Sequence, residues 1–145
     1  MRPYRLHWPA IVVAMIASFL FEAGWYSYFM TPWLIGVGRT SEWMHEYSGM
    51  MPPVQYAIAM LCSLIAAAVL SLAIQVSGEQ TLLRGIKVGA VLWLGFIATS
   101  WATEYAFEVR SLEIFAINTG AWLANLVIMG AIVGAWRGQP APLAP

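Results

Sequence analysis

The stretch PVQYAIAMLCSLIAAAVLSLAIQV, residues 53–76, decides the fold. It carries no charge and lies inside a longer uncharged interval, 47–78. A membrane helix needs ~20 mostly apolar residues, because each rises ~1.5 Å across a hydrocarbon core ~30 Å thick. The run is continuous, whereas a barrel strand alternates apolar and polar residues over ~10 positions. In lipid every backbone N–H and C=O has to be satisfied within the segment, and a helix does that.

Working outward, three more segments meet the same test. Residues 8–30 are interrupted only by Glu22. Residues 82–107 have a short uncharged centre, 88–103, so Lys87 and Glu104 snorkel or sit among lipid headgroups. Residues 114–136 are free of charge. The composition agrees. The 145 residues are 61% hydrophobic and 10% charged, with a mean hydropathy of +0.71, where a soluble domain runs near ~45–50% and ~25%. So few charges cannot coat a water-soluble globule. They also exclude a disordered chain, a coiled coil and a nucleic-acid binder with a basic face. Cys62 is the single cysteine, which rules out an intrachain disulfide and a cysteine-based metal cage. The expectation is an all-α integral membrane four-helix bundle, one domain over 1–138, with the lipid bilayer as its first partner. A proline-rich tail, QPAPLAP at 139–145, is expected to be extended.

The connections set the topology. About six residues (77–82) join spans two and three, and about four to six (108–113) join spans three and four. Links this short make neighbouring spans antiparallel. Only the first loop, 31–52, is long. Ser41 is read as the cap of a short helix there, with Trp43, Met44 and Tyr47 on its apolar side, lying along the membrane surface. Arg2, Arg5, Arg84, Lys87 and Arg137 fall on the side of the termini, and Arg39 and Arg110 on the other. The positive-inside rule then places both termini in the cytoplasm, with the first span a retained anchor. All seven acidic residues are glutamates, and on this topology only Glu79 faces inward. The outer half is therefore where chemistry is expected.

Glu22 stands out there. It lies two turns inside span one, roughly 10 Å deep, where a charge costs ~2.5–3.5 kcal/mol on insertion scales. It is therefore either a protonatable ligand or relay group, or a protonated or hydrogen-bonded carboxyl packed against another span. Ser18, Glu22 and Tyr26 share one helical face. Asn118 and Asn125 share a stripe with Phe115 and Trp122 on span four, at depths of roughly 6 Å and 16 Å that bracket Glu22. Paired amides serve either as glue between helices or as ligand contacts. Span three ends with Thr103, Glu104 and Glu108, followed by Arg110. Glu104 and Glu108 share a face and are able to hold a cation or a proton, or else form a solvated rim paired to Arg110. His45 is a lone histidine in the first loop, more typical of a solvated group than of a ligand. The tryptophans divide into interface belts (Trp8 and Trp136 inside; Trp25, Trp33, Trp43 and Trp101 outside) and the deeper Trp93 and Trp122. GxxxG occurs at Gly85/Gly89 and Gly130/Gly134, permitting spans three and four to pack closely. No HExxH, P-loop, nucleotide fingerprint or nucleophile–base pair appears, so no cofactor or metal is implied and an enzyme is the weakest reading.

Several motifs carry a resemblance. Gly24-Trp25-Tyr26-Ser27 with Trp33 and Gly36, then Trp93-Leu94-Gly95-Phe96, Phe107-Glu108-Val109-Arg110-Ser111-Leu112, Ile117-Asn118-Thr119-Gly120 and Met129-Gly130-Ala131 resemble the family called domain of unknown function 1761. The likeness covers nearly the whole chain. It implies a small bacterial four-span protein of the cell inner membrane and carries no activity with it. Glu108, Arg110 and Asn118 fit the family pattern. The chain departs from it at Tyr28, where the family usually has proline, at Val109, where it usually has glycine, and at Glu22, where a small residue is typical.

The functional expectation is binding or transport of a small cation, proton or amphipathic molecule in an outer polar pocket. The residues that carry it are Glu22, Tyr26, Thr103, Glu104, Glu108, Arg110, Asn118 and Asn125. The alternative is a non-catalytic accessory subunit that docks another membrane protein or a second copy of itself.

Overall fold

The computed structural model describes residues 5–48, 52–78 and 80–136. Every regular element among them is helical: α1 (Trp8–Tyr28), α2 (Met30–Val37), α3 (Ser41–Ser48), α4 (Pro52–Val76), α5 (Leu82–Leu92), a π-helical stretch (Trp93–Ala98), α6 (Thr99–Phe107) and α7 (Leu112–Ala135). Four helical segments are long and apolar enough to cross a membrane: Trp8–Tyr28, Pro53–Val76, Leu82–Phe107 and Leu112–Ala135. They form the antiparallel four-helix bundle that the gaps between charges imply.

Local chemistry sets the boundaries. Pro9 sits in the first turn of α1, where its missing N–H costs nothing. The Thr81 side chain caps α5 by accepting from the Arg84 amide, and Ser111 caps α7 by accepting from the Ile114 amide. In the first loop the cap is Thr40 and not Ser41: the Thr40 hydroxyl accepts the Trp43 amide at 3.2 Å, and Ser41 is already the first residue of α3. A second helix, α2, precedes it. Pro32 falls in its first turn, and Gly38 ends it in the left-handed region at φ 73°. Span three is α-helical except for the wider π winding at Trp93–Ala98. The tail at 139–145 lies outside the described residues, as do Arg2, Glu79, Arg137 and the side chain of Tyr47.

The central helix is α7, which packs on α1, α2, α4, α5 and α6. Half of its membrane-length window is buried, against 11% for Leu82–Phe107. At one end, the terminal end, the Gln75 side chain bonds the Arg5 backbone and Gln80 donates to the Val133 carbonyl. The core sits in this half: Ile11 and Ala14 of α1, Leu70 and Ile74 of α4, and Met129 and Val133 of α7. The two GxxxG repeats form a backbone-to-backbone seam. A Cβ on Gly85 would collide with the Gly130 carbonyl, and one on Gly89 with the Leu126 carbonyl. Only glycine lets α5 and α7 approach so closely. Outside the bundle, Leu20, Ile65, Val91 and Phe96 are each more than half exposed. An apolar mantle of that kind suits hydrocarbon rather than water.

Candidate functional site

At the opposite end, the loop end, the helices part. The first turns of α4 are exposed at Val54, Tyr56 and Ile58. A cleft with a cavity volume of about 870 Å³ opens among α1, α4, α6 and α7. Met30 and Trp33 of α2 and Met44 of α3 also line it.

Asn118 lines the cleft and is buried, 5% exposed. Its Oδ1 accepts from the Tyr26 hydroxyl and from the Trp33 indole N–H, both at 3.2 Å, and its Nδ2 donates to the Tyr105 hydroxyl at 2.7 Å. One amide thus ties α1, α2, α6 and α7, with both lone pairs of its carbonyl in use. Deeper in, Asn125 Nδ2 donates to Glu22 Oε1. Asn125 Oδ1 and the hydroxyl of Ser18, one turn from Glu22, are buried without a partner. The stripe Ser18–Glu22–Tyr26 therefore meets the stripe Asn118–Asn125 across the α1–α7 contact. Two further indoles fasten to α7: Trp25 donates to the Ile117 carbonyl at 3.1 Å and Trp93 to the Thr119 carbonyl at 2.7 Å.

The cleft walls are aromatic. Three edge-to-face pairs line them: Phe19–Tyr56 between α1 and α4, Tyr26–Trp33 between α1 and α2, and Trp101–Tyr105 within α6. Among the described residues that line the cleft, Glu22 is the only charged type. Its Oε2 has no protein partner among them.

The structure thus gathers half of the residues singled out by sequence. Glu22, Tyr26 and Asn118 line the cleft, and Asn125 lies beneath them on Glu22. The others stay outside. The Thr103 hydroxyl donates back to the Thr99 carbonyl at 3.0 Å within its own helix. Glu104 is exposed. Glu108 and Arg110 form an exposed ion pair at 2.8 Å, and Arg110 also donates to the Gly36 carbonyl at 2.8 Å. That pair is a strap from the α6–α7 turn to α2, at the rim rather than in the cleft. His45 is exposed on α3. No group of three metal-ligating side chains is assembled among the described residues. Sequence reasoning missed Trp33 and Tyr105 as partners of Asn118. Trp33 had a usable signal: it lies seven residues after Tyr26, two helical turns on, in a chain that barely breaks at Phe29.

No curated protein and no solved structure matches the chain. A family model described as "Protein of unknown function (DUF1761)" matches residues 9–134. That stretch holds nearly all of the bundle and every residue lining the cleft. The chain belongs to this family, Protein of unknown function (DUF1761).

Proposed function

We propose that the chain is an integral protein of a bacterial inner membrane, both termini cytoplasmic, that binds a small cationic or amphipathic molecule in a cleft open to the outer side. The observation that carries this reading is a lone carboxyl group, Glu22, at the base of an aromatic-walled cleft about 870 Å³ in volume. An ionisable group at that depth is costly, and such groups mark ligand or ion pathways by default. Clefts lined by apolar rings with a few convergent polar groups are the usual form of a small-molecule site. The orientation is supported by the positive charges of Arg5, Arg84 and Lys87 at the terminal end, which sequence augments with Arg2 and Arg137.

The accessory-subunit reading leans on the apolar flank of Val91, Leu94 and Phe96. Lipid tails cover such a flank equally well, whereas they do not satisfy the Glu22 carboxylate, so binding stands first.

Two measurements test the reading. Ala59 lines the cleft. In a Cys62→Ser background, Ala59→Cys should react with a membrane-impermeant maleimide added outside intact cells. In nanodiscs, titration with tetraphenylphosphonium, which is both cationic and amphipathic, should give a saturable change in tryptophan fluorescence that Ala59→Trp abolishes. Labelling from the cytoplasmic side alone, or fluorescence that Ala59→Trp leaves untouched, would overturn it.

A further inference from the structure

We infer that the cleft selects a monovalent organic cation, a single positive charge on an apolar or aromatic body, seated over Glu22. This rests on the binding reading above and narrows it to one chemical class.

The sign comes from the lining. One carboxylate faces the cleft, and no Lys, Arg or His is among the described residues that line it. An anion would meet an uncompensated like charge there. A neutral ligand would strip water from the carboxylate and return nothing, and an unpaired charge in a dry site is strongly disfavoured. A cation supplies the missing partner to Glu22 Oε2, while Oε1 keeps its bond from Asn125.

The valence and the body come from what surrounds that charge. A hard divalent ion takes six or more oxygen ligands, or keeps its own waters. Here one carboxylate stands among rings, and Glu104 and Glu108 lie outside the cleft. Aromatic rings present negative faces that attract weakly hydrated organic cations and shed strongly hydrated small ones. Three edge-to-face pairs supply those rings. Two of the pairs are held in place by the Asn118 node, through Tyr26, Trp33 and Tyr105. Rings fixed before the ligand arrives lose little freedom on binding. Met30 and Met44 in the lining add flexible, polarisable contacts that adapt to the shape of the body.

Tetraphenylphosphonium and tetraphenylborate test this directly, since they match in shape and differ in sign. Each is titrated into the protein in phosphatidylcholine nanodiscs, followed by tryptophan fluorescence and corrected with empty nanodiscs. The phosphonium should saturate and the borate should not. Glu22→Gln, which retains an oxygen for Asn125, should weaken phosphonium binding by about tenfold or more, the scale of a lost charge-assisted contact. Glu22→Asp should keep the preference for the cation. Trp101→Ala, in the wall, should weaken binding by about threefold or more, as expected for one cation–π face. Equal affinity for the two ions, or an unchanged phosphonium affinity in Glu22→Gln, overturns cation selection while cleft binding survives. Absence of saturable binding by either ion overturns both readings.

Discussion

The two halves of the bundle are built from the same helices and pack in opposite ways. In the terminal half, α5 and α7 touch backbone to backbone through Gly85, Gly89, Gly130 and Gly134. Ile11, Leu70, Ile74 and Met129 fill the remaining space. In the loop half, α7 presents Asn118 where it had presented glycines, and α1 presents Glu22 and Tyr26 where it had presented Ile11 and Ala14. Apolar lipid gives helices no hydrophobic reason to associate, so close packing of small residues and interhelical hydrogen bonds have to do it. The first device closes a seam. The second ties helices at the length of a side chain and leaves a cleft between them. The difference teaches that a small four-helix bundle needs only one tight end to carry an open one.

The comparison breaks most readily at the seam. In Gly130→Val the new Cβ meets the Gly85 carbonyl, an atom that cannot swing aside. Overpacking against backbone should cost about 3 kcal/mol, seen as a lower thermal midpoint by circular dichroism in detergent. Ala59→Trp adds more volume but places it in open space, and should shift the midpoint far less. If the two variants melted alike, the halves would not differ as described. Next in size is Asn118→Leu. It removes three side-chain bonds, each worth ~0.6 kcal/mol in a membrane bundle, and should destabilise by about 2 kcal/mol. Its signature is local: hydrogen exchange should speed up in α2 and α6 before it does in α5.

Much of this was legible in the residues, and the two halves explain why some was not. The spans follow from gaps between charges, and the α5–α7 seam follows from GxxxG, because both depend on local spacing. The facing of Ser18, Glu22 and Tyr26 toward Asn118 and Asn125 was legible too, since each stripe repeats at helical period. Span three defeats the same logic. The π winding at Trp93–Ala98 inserts an extra residue into a turn, and each residue advances the helical face by ~100°. The i, i+4 spacing still puts Glu104 and Glu108 on one face, but it does not say which way that face points, and of the two alternatives the structure shows the rim paired to Arg110. Glu104 and Glu108 turn out to solvent and Tyr105 turns in to Asn118. The helix α2 was hidden for another reason. Thr31-Pro32 reads as a break after span one, yet proline is well tolerated in a first turn, and Trp33 is carried inward.

A smaller effect sits at the turn between α6 and α7. Val109 has φ 55°, a left-handed conformation that a β-branched residue adopts only under strain. Its side chain is 89% exposed, so nothing is lost from packing when it is removed. Val109→Gly should stabilise the chain by about 0.5–1 kcal/mol, the strain relieved less the extra freedom of glycine when unfolded. A lower midpoint in that variant would mean that the turn is held some other way.

The smallest expected effect separates rim from cleft. Glu108 is exposed and pairs with Arg110 at 2.8 Å, and exposed ion pairs contribute ~0–1 kcal/mol. Arg110 keeps its bond to the Gly36 carbonyl whether or not Glu108 is charged. Glu108→Gln should therefore change stability by less than about 0.5 kcal/mol. It should leave tetraphenylphosphonium affinity within about twofold, because a solvated charge outside the cleft is screened over roughly 8–10 Å of salt solution. Glu22→Gln removes the same charge from the same loop half and should show the larger loss in binding. Two isosteric changes, one at the rim and one at the cleft floor, thus weigh position against charge. If they weakened binding equally, the carboxylate would act through the overall field of that end of the bundle, and the cleft would have no special claim on the ligand.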